Sequence, residues 1–174
     1  MSQPPKIVLR IDQTLKLAAK GDLDAVKQVL ADDPAMLNAM SDSHHRTLLW
    51  EAANANRMEV VEYLVAMGTD VNTRDKVTGW PPIAYVSCGD KGEHPEKVKM
   101  LIEYGADVNA AGPKGLTALH AASKAGFVSV IELLVETSAD IDAKTLSKET
   151  PLRLAKKSKR IDAQAFLERH GATD

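Results

Sequence analysis

The sequence predicts an all-α fold, a solenoid of stacked helix–turn–helix units, and three observations carry that prediction. A short turn, Gly105-Ala-Asp-Val-Asn109, recurs as Gly68-Thr-Asp-Val-Asn72 and Ser138-Ala-Asp-Ile-Asp142, with Gly171-Ala172 as a truncated copy. A second signature, Thr117-Ala-Leu-His120, recurs in phase with it as Thr47-Leu-Leu-Trp50, Pro81-Pro-Ile-Ala84 and Thr150-Pro-Leu-Arg153; Thr117 and Thr150 are 33 residues apart, as are Gly105 and Ser138. Aromatic residues make up only 4% of a chain that is 44% apolar, so its core must be built from Leu, Val, Ile, Ala and Met, which suits closely packed helices better than a β-sandwich.

Residues 1–12 read as an N-terminal tail, and residues 13–174 as a single domain of five units. The first, about 13–40, is a degenerate cap opened by Leu17-Ala-Ala-Lys-Gly-Asp-Leu-Asp-Ala-Val26; Asp33-Pro-Ala-Met-Leu-Asn38 replaces its turn, so that finger should be irregular. The second, 42–74, starts at Thr47, whose hydroxyl can cap a helix N-terminus. It runs to the small pair Ala52-Ala53, turns at Asn56, and continues through Val60, Val61, Leu64 and Val65 to a glycine stop at Gly68. The third, 75–110, has Pro82 at the first helical position, where a missing N–H costs nothing. The fourth, 111–143, starts at Thr117, turns at Gly126, and repeats the apolar spacing in Val130, Ile131, Leu134 and Val135. The fifth, 144–174, starts at Thr150-Pro151 and reads as a C-terminal cap: Arg153, Lys156 and Lys157 stand where inner units place His and small residues, and its last helix is expected to have no onward neighbour.

These phased motifs resemble the ankyrin-repeat family over roughly residues 13–174. The 33-residue period and the Thr-Pro-Leu-His start are the family's known features. The resemblance implies helix pairs joined by β-turn or hairpin fingers, stacked because no unit buries its apolar face alone. It also implies a non-catalytic protein–protein interaction module that uses its finger tips and a concave face of first helices. On this sequence those contact positions are His44, Arg46, Asn54, Ala55, Thr78, Trp80, Lys114, Leu116, Lys124 and Ala125. His120 should tie down its turn by hydrogen bonds, and Trp50, in the motif His position, should pack between units. The expected partner is a protein bound by a monomer, with no cofactor and no metal.

Bulk properties agree. Net charge is −2, which points to neither nucleic acid nor anionic lipid. No apolar run approaches the roughly 20 residues of a membrane span, and no secretory leader is visible. The single cysteine, Cys88, precludes an internal disulfide and favours a reducing compartment, so a cytoplasmic location is expected.

The pattern breaks most in the third unit. One extra residue lies in the finger Arg74-Asp-Lys-Val-Thr-Gly-Trp80, and three more lie in the loop Cys88-Gly-Asp-Lys-Gly-Glu-His-Pro95. Insertions of this kind decorate a binding face or drift neutrally. Trp80 and Leu116 hold matching positions in adjacent fingers, with Arg46 one finger further along, so the three, if all are exposed, form an apolar patch with a cationic edge. The alternative for Trp80 is a plug that covers its own finger. A competing reading places an enzyme or metal site on Cys88 and His94, although two ligands do not close a metal site. A third takes Lys156-Lys-Ser-Lys-Arg160 as a patch for an acidic partner or nucleic acid; no aromatics interleave it. Residues 144–174 hold eight Lys and Arg against four Asp and Glu.

Overall fold

The computed structural model describes residues 6–41, 46–76, 78–89 and 92–174, and the chain divides into two compact units, Met1–Thr78 and Gly79–Asp174. The N-terminal unit contains α1 (Lys6–Lys20), α2 (Leu23–Asp32), a 3-10 turn at Pro34–Asn38, α3 (Leu48–Asn54) and α4 (Met58–Ala66). Helix α1 packs on α3 and α2 on α4, so first helices meet first helices and second helices meet second. The C-terminal unit repeats the scheme. Its front row is α5 (Pro82–Val86), α7 (Ala118–Ala125) and α9 (Pro151–Lys157); behind lie α6 (Pro95–Glu103), α8 (Val128–Glu136) and α10 (Ile161–Arg169). No strand is assigned among the described residues. The fingers are closed by single backbone bonds, such as Gly112 N–H to Leu116 C=O at 2.7 Å and Thr145 N–H to Glu149 C=O at 3.0 Å.

The repeated letters now have physical causes. Thr47, Thr117 and Thr150 each accept, at Oγ1, the N–H three residues on, which satisfies a donor that the first helical turn leaves open. The Asp of each Asp-Val-Asn turn bends the chain locally: Asp70, Asp107 and Asp140 accept the N–H two residues ahead through Oδ1. Asn109 then ties its turn to the next, accepting from Asp140 N–H at 2.8 Å and donating to Ser138 C=O at 3.2 Å. The helix stop demands a left-handed backbone. Gly105 supplies it at φ +87°, whereas Ser138 holds φ +70° without glycine's freedom.

One expectation about the N-terminal unit changes and another holds. The tail expected over residues 1–12 is helical from Lys6, because Ile11, Leu15 and Ala18 fall on one helical face and are buried. Asp33-Pro-Ala-Met-Leu-Asn38 is irregular as expected, and it takes the form of the 3-10 turn, with Met36 buried and Asp33 capping Ala35 N–H. Trp50 is 2% exposed, with the Arg46 guanidinium 3.9 Å from its ring centroid.

Candidate functional site

The site builds outward from His120, which is fully buried. Its Nδ1 accepts from Thr117 N–H at 3.2 Å, so Nε2 carries the proton and donates to Glu149 C=O at 3.0 Å. Burial pushes the imidazole pKa below its ordinary value, which keeps the ring neutral in this role. The expected tie is therefore present: one side chain fastens its own finger and the next one.

Above this anchor lies a groove of about 360 Å³. Trp80 forms one wall. Its indole rests on the next finger at Gly112, where a Cβ would stand 3.0 Å from Cε3; half-buried, it both covers a finger and faces the groove. Leu116, which ends that finger, is half-buried too, and Ala121 and Ala125 from α7 complete an apolar lining. The exposed side chains of Lys124 and Arg160 stand at the edge. Arg160 is held there by its stem and its Nε. A Cβ on Gly126 would lie 2.7 Å from Arg160 Cδ, so only glycine admits the stem, and Nε donates to Lys124 C=O at 3.3 Å. In the N-terminal unit Arg57 does the same, lying against Gly21 and donating Nε to Ala19 C=O at 2.9 Å.

The structure thus gathers four expected contact residues, Trp80, Leu116, Lys124 and Ala125, around one groove. Lys114 is exposed at the same finger tip, where its C=O accepts Leu146 N–H at 2.9 Å. Asn54 and Ala55 end α3 in the N-terminal unit, exposed and half-buried respectively. His44 lies outside the described residues.

Arg46 does not form an open cationic edge. Its Nε pairs with Asp75 at 3.1 Å, and its Nη1 pairs with Glu51 at 3.2 Å. The Asp75 side chain is fully buried and also accepts Thr78 N–H at 2.8 Å, so this network shapes the long finger from inside. The inserted loop has a structural bond as well: Glu93 Oε1 accepts Val130 N–H at 3.0 Å, capping α8 from the preceding repeat.

The rival readings find less support. Cys88 lines the groove, with its Sγ 3.4 Å from Tyr85 C=O, while His94 Nδ1 pairs with Glu96 at 3.0 Å. No group of three or more His, Cys, Asp or Glu side chains is placed to hold a metal among the described residues. Two of the four cations of the basic run are engaged with carboxylates. Lys156 pairs with Asp174 at 2.7 Å and with Glu168 at 3.4 Å, and Lys157 pairs with Glu149, whose carboxyl this bond holds below its ordinary pKa. No described helix is long and apolar enough to cross a membrane.

Sequence reasoning missed Ala121 and the role of Arg160. A signal for Arg160 was present: both clamping arginines immediately precede a second helix, and each meets a glycine of the preceding inter-helix loop.

Comparison with known proteins agrees with this geometry. A family profile described as ankyrin repeats (three copies) matches residues 83–173, and a single ankyrin-repeat profile matches residues 44–76. Human ankyrin repeat and SOCS box protein 6 is 37% identical over 145 residues, covering 78% of this chain and 33% of that protein. Alpha-latroinsectotoxin-Lt1a of Latrodectus tredecimguttatus is 33% identical over 144 residues, covering 82% of this chain and 10% of the toxin. The mouse B-cell lymphoma 3 protein homolog is 32% identical over 116 residues, covering 67% and 25%. The chain therefore spans between a tenth and a third of the length of these relatives. With two family profiles in register with its capped helix pairs, the chain belongs to the ankyrin-repeat family.

Proposed function

We propose that this chain is a non-catalytic protein-binding module, acting as a monomer, and that the groove bounded by Trp80, Leu116, Lys124 and Ala125 is its contact surface. Ankyrin repeats generally serve protein–protein interaction, which supports the class of function, and the groove supports the location. The observation that carries the location is convergence. Residues from a finger, the next finger and α7 meet around one apolar hollow, with an aromatic wall and cations at its edge. Aromatic and Arg side chains in such hollows dominate binding energy in protein interfaces. The surrounding hydrogen bonds pre-organise the surface, which reduces the ordering cost of association. A lone, half-exposed Cys88 suits a reducing compartment.

The test is affinity isolation from the native source with wild type and Ala125→Phe, whose added ring occupies the groove without changing charge. The helical spectrum of the variant should match wild type, and proteins retained by wild type should be lost. Retention of the same proteins by both would move the contact surface elsewhere, first to Asn54 and Ala55 on α3. Sedimentation velocity checks the monomer.

A further inference from the structure

Resting on that reading, we infer that the occupant of the groove is an acidic segment of a partner protein: one apolar side chain enters between Trp80, Leu116 and Ala121, and a nearby carboxylate meets Lys124 and Arg160.

The interior of the groove selects an apolar group. Its walls are an indole, a leucine and two alanines, and the polar groups beneath are already used. Both ring nitrogens of His120 are bonded to the protein, and the Cys88 thiol is bonded to Tyr85 C=O. A polar ligand would lose its water there and find no fixed partner, a net cost. The volume, about 360 Å³, lies near the lower end of the roughly 300–1,000 Å³ typical of small-molecule sites, which suits one inserted side chain of a longer chain.

The edge selects negative charge. The lining contains Lys124 and Arg160 and no carboxylate, in a chain whose overall charge is −2. The engaged cations elsewhere show the contrast: Arg46, Lys156 and Lys157 each pair with described carboxylates, whereas neither Lys124 nor Arg160 pairs with any. Arg160 is also pre-oriented. Its stem lies on Gly126 and its Nε is fixed to Lys124 C=O, so little rotamer freedom remains to be lost when the rest of the guanidinium meets a carboxylate. Lys124 follows on the same helix end, one residue before the apolar Ala125, so the apolar and anionic groups of a bound segment should be close in its sequence.

Selection from a displayed random peptide library tests the proposal. Wild-type protein is the bait, Ala125→Phe is the counter-bait, and selected peptides are synthesised and titrated by fluorescence anisotropy. Peptides that depend on the groove should carry Leu, Ile or Phe within a few residues of Asp or Glu. Their affinity should fall with added salt, and by about tenfold for Lys124→Glu, a substitution at an exposed position whose helical spectrum is compared with wild type. Groove-dependent peptides that are neutral or basic, or that bind Lys124→Glu as well as wild type, overturn this inference and leave the groove reading in place. Peptides that all bind Ala125→Phe unchanged sink both. A wild-type dimer that Ala125→Phe dissociates would make the occupant a second copy, which also overturns the acidic-segment assignment.

Discussion

His120 is held at both ring nitrogens, and only the neutral ring can accept from Thr117 N–H while donating to Glu149 C=O. Its native pKa lies below the ordinary 6.5. Above that pH the ring is neutral in both folded and unfolded chains, and its stabilisation is fully present. As pH falls below it, the unfolded chain takes up a proton that the native ring resists, so stability declines until the native pKa is passed. His120→Gln should lower Tm at pH 7.5, and the gap to wild type should narrow toward pH 5; a constant gap would show that other groups set the slope. Asp75 is a buried carboxylate bonded to Arg46 and to Thr78 N–H. Removing it in Asp75→Ala leaves Thr78 N–H without this acceptor and takes the Asp75 carboxylate from Arg46, at a cost of about 2 kcal/mol by urea titration. A loss within about 0.5 kcal/mol would mean that the finger does not depend on this network.

Helix ends carry the next level of explanation. Gly68, Gly105 and Gly171 take the left-handed stop, and Ser138 stands at the matching position of the fourth repeat with φ +70°. Ser138→Gly should relieve that strain and raise stability by about 0.5–1 kcal/mol, seen as a higher Tm; an unchanged or lower Tm would show that the serine is compensated locally. Such stops and caps were legible in the sequence because each is a contact between residues two to four apart. The bond from Glu93 to Val130 was not, since it spans 37 residues and no motif marks it. The three inserted residues therefore read as an open question between drift and function, while the structure gives the loop an anchor. Removing the carboxylate in Glu93→Ala should cost about 1 kcal/mol and speed amide exchange at the α8 N-terminus. Exchange that stays at the wild-type rate would reduce the bond to a surface contact.

At the scale of the whole molecule, the family resemblance and the repeat phase gave ten expected contact positions, of which Trp80, Leu116, Lys124 and Ala125 line one groove. The same phase assigned Arg46 to an open edge, and it failed there because phase fixes backbone position but not the hydrogen bonds of a long side chain. Arg46 found a buried carboxylate on the next finger. Phase also governs how a defect spreads. Leu134 is fully buried on α8, which packs against α6 on one side and α10 on the other. Leu134→Ala should cost about 3 kcal/mol, the usual loss for a cavity at such a site. In a stack stabilised by nearest-neighbour interfaces the loss should not stay within one repeat. Amide exchange should therefore accelerate in α6 and α10 as well as in α8, with the front helix α7 affected through its packing on α8. Acceleration confined to α8 would contradict nearest-neighbour coupling and would mean that each helix pair holds its own stability.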